Sequence, residues 1–137
     1  MRILLDTNVL IASIISHGVC FELFEHCIRN HNVISSKYII NEFVEKLNHR
    51  FKYTKSEVNA AKNIIFERIE IVQPENIKIK NLKDKNDFPI IGTAIAGKCD
   101  CIITGDKHLQ ELNKIKDIDI IRPSEFWQYE VDCLKSR

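Results

Sequence analysis

Five acids stand where a side chain could do chemistry. "RILL" runs straight into Asp6, and "CIIT" runs into Gly105-Asp106. Asp84 and Asp87 share the polar stretch "KDKND", and Glu42 lies within the helical pattern "SKYIINEFVEKL". Taken singly, each acid has a plain role. Asp6 and Asp87 could cap the helices behind them, Gly-Asp is ordinary turn chemistry, Asp84 is a solvated loop charge, and Glu42 flanks an apolar stripe. Taken together they repel: two carboxylates ~5 Å apart cost roughly 3 kcal/mol at an effective dielectric near 20. A divalent cation relieves that repulsion, and Mg²⁺ in particular is held by a few carboxylates, water and substrate phosphate.

The elements that must position these acids are legible as an alternation. Ile3–Leu5, "NVIS" (32–35), "IEIVQP" (69–74), "CIIT" (101–104) and "IDII" (118–121) read as strands. Between them, Asn8–Ile15, a segment through Phe21 and Ile28, one through Ile39 and Leu47, and one from a cap at Thr54 or Ser56 to about Arg68 read as helices. Ile90–Lys98 follows a cap at Asp87, with Pro89 in the first turn. Lys107–Leu112 and a final helix from Pro123 through Phe126, Trp127 and Val131 complete the list. Strands alternating with helices imply a three-layer α/β/α domain around a mostly parallel sheet. In such sheets ligands bind beyond the carboxyl ends of the strands, where strand order reverses. Asp6 and Asp106 are expected there.

At 137 residues, the chain is expected to form a single domain over 1–137. The uncharged stretch from Thr7 to Phe21 is too short to span a bilayer. No signal-peptide pattern is read at the start, which places the protein in the cytoplasm. The five cysteines include Cys99-x-Cys101, but no partner pair completes a zinc-like spacing, so they are read as reduced, buried thiols. His17, His26, His31, His49 and His108 show no ligand spacing and are read as surface or packing residues. No phosphate-cradling Gly-rich loop occurs. Net charge is +1. Setting aside Asp6, Glu42, Asp87 and Asp106 leaves 15 acids against 20 basic residues, a remainder of +5. Arg50, Lys52, Lys55, Lys83, Lys85 and Lys107 are the candidate phosphate contacts for RNA.

"LLDTNVLIAS", Glu42 in its helix, and "KDKNDFPIIGTAIAGKCDCIITGDKHL" together resemble the PIN-domain family. They come close to its branch of toxins from toxin–antitoxin pairs (VapC-like). The resemblance covers nearly the whole chain, including "IDIIRPSEFW". It implies a PIN-like fold and a metal-dependent endoribonuclease that leaves a 5′-phosphate, using Mg²⁺ or Mn²⁺. By position, the motif acids are Asp6, Glu42, Asp87 and Asp106, with Asp84 an additional acid of this branch. Thr7, Asn8 and Thr104 fall at supporting polar positions. Phe88 departs from the pattern, where a small polar residue is expected. The resemblance further implies a small antitoxin partner and a homodimer, for which exposed apolar residues near Phe126 and Trp127 or on the first two helices are candidates; most of these are expected to fill the core. Two alternatives stand beside it. A non-catalytic PIN-fold module would bind RNA or protein without cutting. A haloacid-dehalogenase-like phosphatase would need an acid two residues after Asp6, where Asn8 stands.

Overall fold

A computed structural model describes residues 1–16, 18–78, 82 and 84–135. Strand β1 (Arg2–Leu5) is followed by helices α1 (Thr7–Ile15) and α2 (Val19–Asn30), then β2 (Asn32–Ser35). Helices α3 (Lys37–His49) and α4 (Lys55–Phe66) lead to the two-residue strand β3 (Glu70–Ile71). Helix α5 (Phe88–Ala96), strand β4 (Cys101–Ile103) and helix α6 (Lys107–Gln110) follow, then β5 (Lys114–Ile115), β6 (Ile118–Ile121) and α7 (Phe126–Lys135).

The sheet order is β3-β2-β1-β4-β6-β5. All neighbours are parallel except β5, which runs antiparallel beside β6. The chain builds outward from β1 in one direction through β2 and β3, then returns to start the other half at β4. Strand order therefore reverses between β1 and β4, which opens a crevice at their carboxyl ends. Ile3, Leu4 and Leu5 on β1 and Cys101, Ile102 and Ile103 on β4 are all buried, so helices cover both faces of the central strands. The expected α/β architecture with a mostly parallel sheet is what the chain adopts.

Several boundaries differ from expectation. The third strand shrinks to Glu70–Ile71, and α4 stops at Phe66. Thr54 caps α4 with a complete capping box to Glu57. Asp87, expected as a cap, makes no capping hydrogen bond; a 3₁₀ turn over Lys85–Asp87 precedes α5 instead. The extended stretch after β3 is tied to α5 by the Glu75 amide donating to the Gly92 carbonyl at 3.0 Å. Phe126 is fully buried, whereas Trp127, Val131 and Leu134 are exposed on α7. Cys27, Cys99 and Cys101 are buried, and burial pushes the Cys27 and Cys99 thiols up to about 12. Among the described residues no single helix is long and apolar enough to cross a membrane.

Candidate active site

The register Ile3↔Cys101, Leu4↔Ile102, Leu5↔Ile103 carries the two central strands in step toward their carboxyl ends. One residue further on, the Asp6 amide donates to the Ile103 carbonyl at 3.0 Å. The next side chain opposite Asp6 is that of Thr104. Its hydroxyl donates to Asp6 Oδ2 at 2.7 Å and accepts from the Asp106 amide at 3.0 Å. One buried threonine therefore holds both strand-end acids in a fixed relation. Thr104 is itself pinned at its carbonyl by Gln110 Nε2, 2.7 Å away.

Asp6 Oδ1 accepts from the Thr7 amide at 2.7 Å and caps α1. Asp106 accepts from the His108 amide at 2.8 Å and caps α6. Asp84 accepts from the Asn86 amide at 2.9 Å. The capping role and a ligand role are compatible, because a carboxylate has about four lone-pair positions and each cap uses one. Asp87 is different. It is 7% exposed, and its Oδ2 is buried with no hydrogen-bond partner. Burial, then the charges of Asp106, Asp84 and Asp6, push the Asp87 carboxyl up to about 6. Burial also raises Asp6, with the Glu42 charge adding to the rise and Thr104, Thr7 and Lys46 opposing it. The structure thus brings Asp6, Asp84, Asp87 and Asp106 within electrostatic reach of one another, and Glu42 within reach of Asp6.

A buried carboxylate oxygen without a donor is an unsatisfied acceptor, and it is most simply satisfied by a cation. The donor set is all oxygen, which fits a hard divalent ion. Among the described residues no three of these acids bring their oxygens within 4.8 Å of one another. That looser spacing suits an ion that keeps part of its water shell.

The supporting residues behave unequally. Thr104 is central. Thr7 Oγ1 is buried without a hydrogen-bond partner. Asn8 is exposed, and its Oδ1 accepts from Lys46 Nζ at 3.1 Å. Lys46 and Tyr38 are the residues sequence reasoning missed. Tyr38, Glu42, Lys46 and Arg50 recur every four residues and so share one face of α3. With Glu45, His49 and Asn86 they line a cavity of about 340 Å³. Tyr38 adjoins the acids closely enough that, after burial, Glu42, Asp84, Asp87 and Asp6 all raise its hydroxyl. That four-residue period was the available signal. Of the phosphate-contact candidates, Arg50, Lys52, Lys55, Lys85 and Lys107 are exposed and engaged in no ion pair among the described residues. Lys83 lies outside the described residues. Only Arg50 lines the cavity along α3.

A family model described as the PIN domain matches residues 2–108. No curated protein matches the chain at a significant level. Two solved structures are similar in fold. One is VapBC2 from Rickettsia felis bound to a DNA fragment from its promoter, with 18% identity, 89% of this chain and 98% of that chain covered, and a TM-score of 0.65. The other is VapBC-1 from nontypeable Haemophilus influenzae, with 16% identity, 90% and 99% covered, and a TM-score of 0.63. At these identities they speak to the fold alone.

Proposed function

The chain belongs to the PIN-domain family, and from that premise we propose that it is a single-domain, metal-dependent endoribonuclease. We further propose that it serves as the toxin of a toxin–antitoxin pair. The observation that carries the nuclease reading is the orphaned, buried Asp87 Oδ2 beside Asp6 and Asp106 at the strand-order reversal. Asp6, Asp87 and Asp106 would hold Mg²⁺ or Mn²⁺, with Asp84 and Glu42 at the margin. When bound, the ion supplies charge neutralisation for the scissile phosphate and acidifies a water.

The residues of the chain do the rest. Thr104 holds the Asp6 carboxylate and the Asp106 backbone, and the His108 amide holds the Asp106 carboxylate, so that little reorganisation is needed on substrate arrival. Glu42, which no hydrogen bond holds among the described residues, orients the attacking water and takes its proton. Lys46 and Arg50 continue from Glu42 along α3 and receive the phosphates of the RNA strand beyond the cut. The partners proposed on this reading are an RNA substrate, a small antitoxin that covers the acids, and a second copy of the chain. Both similar structures are of VapBC complexes, which supports an antitoxin partner here.

Purified chain incubated with RNA and Mg²⁺ or Mn²⁺ tests the proposal. Cleavage is expected with either ion, and loss is expected with chelator and with Asp6→Asn. RNA bound but left intact under all conditions would favour the non-catalytic module. Equal cleavage with and without Asp6 would overturn the site.

A further inference from the structure

At the amino ends of the strands, opposite the acids, a second group of ligand-bearing side chains converges, and nothing in the proposed reaction uses it. His26 lies near the end of α2, His31 is the residue that ends α2 before β2, and Glu130 reaches across from α7. Glu130 Oε2 accepts from His26 Nε2 at 2.7 Å and from His31 Nε2 at 2.5 Å. One ligand atom from each of the three side chains lies within 4.8 Å of the other two. The side chains of His31 and Glu130 are 10% and 17% exposed. The rings are held edge-on: His26 against Trp127 with centroids 4.8 Å apart, and His31 against Phe126 at 5.9 Å. Beside them is a cavity of about 30 Å³ lined by Met1, His31, Glu130, Cys133 and Leu134. That is room for about one water or one ligand atom. Cys133 lies three residues after Glu130, on the same face of α7.

We propose that His26 Nε2, His31 Nε2 and Glu130 Oε2 form a binding site for a Zn²⁺-class divalent ion, with the fourth position opening into the cavity that Cys133 lines. Pinning α7 by an ordinary ion pair would need only one histidine. Here two ring nitrogens address a single carboxylate oxygen, and both rings are immobilised by aromatic packing. Two imidazoles and a carboxylate with an open position are a recurrent zinc donor set. Imidazole suits zinc, whereas the all-oxygen group at the carboxyl ends of the strands suits Mg²⁺ or Mn²⁺. The site would cross-link the end of α2 to α7, whose buried anchor among the described residues is Phe126.

The Met1 amine stands 3.0 Å from His31 Nδ1, and Asn30 Nδ2 stands 3.3 Å from His26 Nδ1. With the ion on Nε2, each ring carries its proton on Nδ1, so both of these partners must turn away or present an acceptor.

The site stands whether or not the acids cut RNA, so its test uses the full chain carrying Asp6→Asn and Asp106→Asn, stripped with chelator. Titration with Co²⁺ is expected to give one equivalent with the intense visible bands of tetrahedral coordination. Binding should quench the fluorescence of Trp127, the only tryptophan in the chain. Zn²⁺ should displace Co²⁺ and raise the melting temperature, while Mg²⁺ should not displace it. Glu130→Gln and His31→Gln, checked for fold by circular dichroism, should weaken Co²⁺ binding by more than about tenfold. Weak octahedral bands, no bands, or binding unchanged in both folded variants would overturn the proposal. Should a variant unfold, the spectrum of the parent chain still decides the matter.

Discussion

Thr104 is the residue on which the geometry of the acids turns, because one hydroxyl serves Asp6 and Asp106 at once. Thr104→Val keeps the shape and removes the bridge. RNA cleavage should fall by up to about 100-fold, as expected for small misplacement of reacting groups. Melting temperature should drop only by the equivalent of about 1 kcal/mol. Thr104→Ser should restore most of the rate, a recovery that a purely structural role would not produce. Asp87 makes a different prediction. Its carboxyl titrates near 6 when folded against an ordinary 3.8, so the folded state retains a proton that the unfolded chain has already lost. Its favourable contribution is complete below about pH 4 and disappears as pH rises through about 6. In chelator, the parent chain should lose about 1–2 kcal/mol more than Asp87→Asn across that window, a figure reduced for screening by nearby water. Thermal melts at pH 4 and 7 measure it. Asp6, Asp84, Asp87 and Asp106 stood out because each follows an apolar run or heads a helical turn, whereas Glu42 lies inside α3 and carries no such marker. Asp87 stands at the expected N-cap position of α5 without making the capping hydrogen bond, and a bonded cap cannot be told from a bare buried carboxylate by sequence alone.

At the scale of elements, the extended stretch after β3 depends on contact with α5 at Gly92. A Cβ there would stand 2.2 Å from the Glu75 carbonyl oxygen, which is backbone and cannot swing aside. Gly92→Ala should therefore destabilise by about 1–3 kcal/mol, and hydrogen exchange at the Glu75 amide should accelerate. The long strands and helices were legible from apolar period and capping residues. Strand β5 was not. The β5–β6 connection turns through Lys116 at φ 52°, and Asn113, just before β5, sits at φ 57°. Neither position carries the glycine that usually advertises a left-handed turn. Lys46 escaped notice for another reason: its neighbour Asn8 lies thirty-eight residues earlier, a proximity that only the packing of α1 against α3 creates. The convergence of His26 and His31 with Glu130 is likewise a product of tertiary structure, with about a hundred residues between the partners.

Over the whole proposed RNA-binding face, charge is divided by position: the site acids at the carboxyl ends of the strands, and exposed cations on α3 and the segment beyond it. RNA binding should weaken steeply with salt. Replacing Lys46 or Arg50 by Ala should each lower the slope of log affinity against log salt by about 0.7, the value for one single-strand phosphate contact. A slope unchanged by both substitutions would remove the α3 track. The α/β class was readable from alternation, yet the strand order was not, because which strands adjoin β1 is decided by packing of helices rather than by any local pattern. That order also leaves the two outermost strands, β3 and β5, at two residues each. Such stubs offer a passing chain little backbone to zip onto, so crowded molecules of this protein should resist growing into cross-β fibres even at high expression.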